Sequence, residues 1–142
     1  MGCDIHAHAE VKINGVWYHL NYYNWSRNYD LFAKMAGVRN YENKIVPISK
    51  PRGVPCDMTF LTQYDCDRMG TDGHSHSWLN AAEVVELNKW WLVEMRKCNS
   101  DYYYEEELIN FIFGNGWDQF TEYRDELREG LEDARIIFWF DN

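Results

Sequence analysis

The chain has little positive charge, little proline and no long apolar run, and each shortage excludes something. Its 14 Lys and Arg against 23 Asp and Glu give a formal net charge of −9. Duplex DNA and RNA are held by a positive field, so this balance argues against a nucleic-acid polymer as partner. A small anionic ligand stays open, because a few arginines suffice for a local positive pocket. No apolar run reaches the ~18 residues of a membrane span, and no basic-then-apolar leader opens the chain. The four cysteines, Cys3, Cys56, Cys66 and Cys98, show no Cys-x-x-Cys spacing. Without a leader they read as reduced, buried thiols of a cytoplasmic protein. Gly-rich phosphate loops, zinc-finger spacings and a defensible Ser–His–Asp pattern are also missing. The three prolines, Pro47, Pro51 and Pro55, mark one irregular excursion over 38–57. No linker or repeat divides the remainder, so the expectation is a single domain over 1–142.

What is abundant is aromatic: 17% of residues, with seven Trp and ten Tyr. Such rings fill cores, but Tyr and Trp also seek polar partners. Some should line a pocket wall or a homo-oligomer interface.

The coarse element reading starts with a strand over 3–13, the Asn14-Gly15 hairpin signal and a returning strand over 16–20. Tyr29–Ala36 reads as a short helix stopped by Gly37. Asp57 is a plausible cap for a helix running to about Arg68. Residues 69–77, rich in Gly, Asp, Ser and His, read as an exposed loop. Asn80 can cap Ala81–Leu87, and 90–95 fits helix or strand. Further helices are predicted over 102–113 and 117–131, and Arg135–Phe140 is a β-prone apolar run. The fold class is α+β: a small, mainly antiparallel sheet, made of the N-terminal hairpin and the C-terminal strand, packed against helices.

The chemistry concentrates in histidine. Alternation puts Cys3, Ile5, Ala7 and Ala9 on one face of the first strand, and Asp4, His6, His8 and Glu10 on the other. A core-facing strand has no need of such a titratable row. With His74 and His76, four of the five histidines fall in two short clusters. One reading is a divalent metal site, zinc or manganese, from Asp4, His6, His74 and His76. Another is metal-free acid–base catalysis by His6 with His76 or His74, Asp4 fixing the tautomer. The plain reading is hydrogen bonds within a sheet, a solvent-exposed His8 and an ordinary polar loop.

Arg27-Asn28, Arg39-Asn40 and Pro51-Arg52-Gly53 place three guanidinium forks beside turn residues, a pattern suited to phosphate or carboxylate. Surface ion pairing is the alternative. Trp78 and Tyr29 are the best rings to stack on a base, with core packing as their ordinary use. Asp141, after an apolar strand, either ends that strand or returns its carboxylate to the pocket.

Several stretches together resemble an uncharacterised family of small bacteriophage and prophage proteins. They are Met1-Gly-Cys-Asp-Ile-His6, Arg27-Asn-Tyr-Asp-Leu-Phe-Ala33, Ala36-Gly-Val-Arg-Asn40, Pro51-Arg-Gly53, His74-Ser-His-Ser-Trp78 and Phe138-Trp-Phe-Asp-Asn142. The resemblance brings no established activity. It implies that Asp4, His6, Arg27, Asn28, Arg39, Arg52, the 74–78 segment and Asp141 belong to the family pattern. His8 departs from that pattern, which counts against the metallohydrolase reading. A phage context implies a role in the host cytoplasm against host defence.

The leading expectation is therefore a protein that binds a small phosphorylated nucleotide and sequesters a host immune signal. Ligand contacts would come from Asp4, His6, Arg27, Asn28, Arg39, Arg52, His74, His76 and Trp78, with no cofactor. The alternatives are a His-dependent, optionally metal-assisted phosphodiesterase using the same residues, and an acidic interaction protein that inhibits a host defence enzyme.

Overall fold

A computed structural model describes residues 2–98 and 131–142. Four antiparallel strands form one sheet in the order β2-β1-β4-β3. They are β1 (Asp4–Ile13), β2 (Val16–Tyr23), β3 (Gly73–Asn80) and β4 (Leu131–Asp141). Among the described residues three α-helices accompany them: α1 (Tyr29–Ala36), α2 (Phe60–Met69) and α3 (Ala81–Cys98). The class is α+β, as expected. Among the described residues no helix is long and apolar enough to cross a membrane.

The hairpin forms because Asn14 and Gly15 both adopt positive φ, 49° and 79°, the mirror-image turn that matches strand twist. It sets the β1–β2 register from Ile13↔Val16 outward. β4 then pairs along the whole other edge of β1, from Asp4↔Asp141 to Ile13↔Leu131. Strand alternation sorts the sheet into two faces. On the first, Cys3, Ile5, Ala7, Ala9, Val11, Ala134, Ile136, Phe138 and Phe140 are buried in one core with Leu31, Phe32 and Met35 of α1 and Val84 and Leu87 of α3. α1 is fixed at both ends. The Asn28 side chain accepts from the Leu31 N–H, and Gly37 closes the helix in the left-handed region at φ 72°. The second face carries Asp4, His6, His8 and Glu10 of β1 beside Arg135 and Trp139 of β4, and α2 lies on it.

Three expectations are corrected. The His74–Ser77 stretch is strand, not loop: β3 pairs with β4 through a bulge between His74 and Ser77, with Ser75 at φ 54°. Its composition disfavours a strand, but the apolar β4 offers it a ladder, and pairing overrides propensity. α2 begins at Phe60 behind Thr59, because Asp57 is used elsewhere, accepting from Arg135 Nη1 at 2.8 Å. α3 continues past Leu87 to Cys98, so 90–95 is helix. The helix predicted over 102–113 and that predicted over 117–131, with the acidic residues there, lie outside the described residues except for Leu131, which begins β4 instead of ending a helix.

Candidate functional site

The second sheet face holds two carboxylate–imidazole chains side by side. In the first, His6 Nε2 lies 2.8 Å from Asp141 Oδ2 and His6 Nδ1 lies 3.2 Å from Tyr22 Oη. A carboxylate only accepts, so Nε2 carries a proton toward Asp141, and Nδ1 is the nitrogen that meets the Tyr22 hydroxyl. In the second, His8 Nε2 donates to Asp65 Oδ2 at 2.8 Å, and His8 Nδ1 faces His19 Nε2 at 2.9 Å. The chains touch through Tyr22, whose ring packs 4.8 Å from that of His8. His8, read from sequence as solvent-exposed, is buried. The reason is α2, which brings Asp65 over it.

Trp139 organises the middle of this face. It is fully buried, and the rings of His6, His8 and His76 all stack against its indole, at centroid distances of 6.2, 5.4 and 5.9 Å. The two histidine clusters of the sequence thus share one aromatic neighbour, with His6 on β1 and His76 on β3 flanking β4. Among the described residues the Trp139 Nε1–H finds no hydrogen-bond partner. Burial lowers the pKa of His76, with His74 adding to the effect, so this ring is neutral near pH 7.

The end of the sheet where β1 starts and β4 finishes gathers most of the remaining candidates. Asp4 and Asp141 face each other across the ladder. Like charges so placed repel, and each has its own cation-capable partner. Arg27 grips Asp4 with Nε at 2.8 Å and Nη2 at 3.3 Å, and Asp141 takes His6. The Arg27 hydrogen bond is the main reason the Asp4 carboxyl sits below its usual range. The next residue, Asn142, holds His74 Nε2 through its side-chain oxygen. Arg39 lies over the Tyr29 ring at 5.7 Å and donates to Tyr41 Oη at 3.3 Å. No carboxylate among the described residues pairs with it.

Arg52 and Trp78 stand apart from this end. Arg52 forms a two-pronged pair with Glu83, at 2.9 and 2.6 Å, and its guanidinium covers the Trp78 ring at 5.0 Å. Asn28 is occupied as the α1 cap. Asp4, His6, Arg27 and His74 therefore find their partners at this sheet end. Arg39 lies there beside Cys3, which faces the core. His76 joins His6 through Trp139, and Arg52, Trp78 and Asn28 have other neighbours.

Sequence reasoning passed over three participants: Asp65, His19 and Trp139. For Trp139 the signal was present, since alternation along β4 puts Arg135, Ile137, Trp139 and Asp141 on one face. For Asp65 and His19 no local signal exists. Among the described residues no group of three or more His, Cys, Asp or Glu side chains is arranged to hold a metal ion. The imidazole nitrogens of His6 and His8 are instead committed to the two chains above. No protein-family model matches this chain, and neither a curated protein nor a solved structure is significantly similar to it.

Proposed function

We propose that the protein binds a small phosphorylated, nucleotide-like ligand at the sheet end formed by the start of β1 and the finish of β4. One observation carries the reading: Arg39, which among the described residues meets Tyr29, Tyr41 and the Cys3 thiol but no carboxylate, stands by Cys3 at the start of β1, next to the Asp4–Asp141 step of the ladder from which Asp141 reaches His6. An arginine free of a carboxylate is the group an anion would recruit. Arg27, exposed on Asp4, would add a second fork by exchanging one anion for another. His6 would give or take a proton on a ligand oxygen. The resemblance to phage proteins supports a host defence nucleotide as the ligand, held away from its receptor.

A second reading is hydrolysis of that ligand, favoured by the Asp141–His6–Tyr22 chain. A carboxylate that fixes the imidazole tautomer leaves the opposite nitrogen to act as general base. One experiment covers both readings. The protein is incubated with a panel of mono-, di- and cyclic nucleotides, denatured, and the released small molecules are identified by mass spectrometry. Stoichiometric intact ligand, lost in Arg39→Ala, supports binding. Product formed by wild type but not by His6→Ala supports hydrolysis. A panel returned unbound and unchanged removes both.

A further inference from the structure

The second chain, Asp65–His8–His19, takes no part in that reading, and its position points to a different role. α2 is attached to the sheet in an unusual way. Its buried residues are Thr62 and Asp65, both polar, whereas Phe60, Leu61 and Tyr64 are exposed. A surface helix ordinarily docks through an apolar stripe. This one is pinned by two polar contacts. At its start, Glu10 Oε2 accepts from Thr59 N, Thr59 Oγ1 and Thr62 Oγ1, at 3.0, 2.6 and 2.7 Å. Further along, Asp65 accepts from His8.

The geometry of the histidine pair limits its protons. His8 Nδ1 and His19 Nε2 are 2.9 Å apart, room for one hydrogen between them. His8 Nε2 spends its own hydrogen on Asp65, so neutral His8 accepts from His19 at Nδ1. One extra proton on the outer nitrogen of His19 keeps that bond. A second would set two N–H groups against each other.

We propose that the His8–His19 pair is an acid-sensitive clamp: protonating it frees the later part of α2 from the sheet while the sheet stays folded. The groups facing His8 decide the balance. Asp65 and Glu10 favour a charged ring, Arg68 draws on Asp65 from the other side at 2.9 Å, His6 opposes a further charge, and Tyr22 and Trp139 enclose the ring in aromatic surface. Burial outweighs the carboxylates and holds His8 below the ordinary 6.5, and burial with the neighbouring His8 does the same to His19. A docked helix therefore binds fewer protons than a released one, and acid favours release. The Glu10 anchor survives this window. Burial raises its carboxyl, but hydrogen bonds from Thr59, Thr62 and Arg135 outweigh that and leave it below 4.5. The start of α2 then acts as a hinge. Release would uncover the imidazoles around Trp139.

The test is hydrogen–deuterium exchange of the whole chain at pH 7.5 and pH 5.0, corrected for intrinsic exchange rates. The expected result is an increase of at least tenfold over residues 64–69 at pH 5.0, with β1 and β4 unchanged. His19→Gln, whose amide can donate or accept, should keep α2 protected at pH 5.0. Asp65→Asn should expose the same residues already at pH 7.5. No change in wild-type α2, or an equal rise in β1 and β4, would overturn the clamp. So would a wild-type response in a folded His19→Gln protein.

Discussion

Asp141 and His6 lie on neighbouring strands, offset by two residues in the ladder, with their side chains 2.8 Å apart on the same face. The carboxylate at the finish of β4 thereby sets which nitrogen of His6 bears the proton. Under the hydrolytic reading, Asp141→Asn should lower kcat by about 10²- to 10⁴-fold, the usual worth of general acid–base assistance. KM should change far less. Steady-state kinetics on whichever nucleotide the panel identifies checks this. An equal loss in kcat and in ligand affinity would mean that Asp141 contacts the ligand itself.

The sequence carried the hairpin, the terminal strand and the two-faced character of β1 openly, because all three rest on local chemistry: the Asn14-Gly15 turn, the apolar 135–140 run and alternation over 3–13. It carried the placement of His6 for the same reason. β3 was not legible, because Gly73, His74, Ser75 and Ser77 have no strand tendency of their own and become a strand only through β4. The docking of α2 was not legible either. His8 and Asp65 are 57 residues apart and meet through a polar contact that leaves no periodicity in the helix.

Asn28 separates a structural role from a ligand role. Its side-chain oxygen accepts from Leu31 N at 3.1 Å as the cap of α1. Asn28→Ala should cost about 1 kcal/mol in urea denaturation, and Asn28→Ser or Asn28→Asp only a few tenths, because all three cap well. Ligand affinity should be the same in all of them. A selective loss of binding in Asn28→Ser would restore the residue to the site.

Glu10 and Arg135 form a buried pair across β1 and β4, Nη2 to Oε1 at 2.7 Å, with Arg135 also covering the Trp17 ring at 3.7 Å. Removing one member strands the other charge away from water. Arg135→Met should destabilise by about 3–5 kcal/mol. The double variant Arg135→Met/Glu10→Gln should lose less than the two single losses combined, since the stranded charge is gone. Chemical denaturation of the four proteins closes the cycle.

Thermal stability should fall in two separate acid windows. His8, His19 and His76 are all held below the ordinary imidazole value of 6.5, chiefly by burial. The unfolded chain therefore takes up protons first, and stability is lost as pH drops beneath 6.5. The carboxylates act lower. Hydrogen bonds from Arg27 and Arg135 lower Asp4 and Asp57. In Glu10, Asp65 and Glu83, burial pushes the other way but is outweighed by hydrogen bonds. Their stabilisation is present above about 4.5 and disappears as pH falls further. Circular-dichroism melts from pH 8 to pH 3 should show two descents, and His19→Gln should flatten only the upper one.

Trp78 and Arg52 give the last test, because each occupies the other. The guanidinium lies over the indole at 5.0 Å while both of its terminal nitrogens rest on Glu83. A base stacking on that face of Trp78 would have to displace a bidentate ion pair. Arg52→Lys keeps the charge but loses the fork, so it should weaken the Glu83 contact and cost up to about 1 kcal/mol, in the range of partly exposed pairs. Arg52→Ala should cost more, through the lost cover on the ring. Neither change should weaken a ligand held by Arg39 and His6 at the sheet end. Isothermal titration with the identified nucleotide discriminates. Unchanged affinity in Arg52→Ala leaves the pair a structural brace. A loss of tenfold or more, larger in Arg52→Ala than in Arg52→Lys, would move the ligand from the start of β1 to the β3–α3 junction.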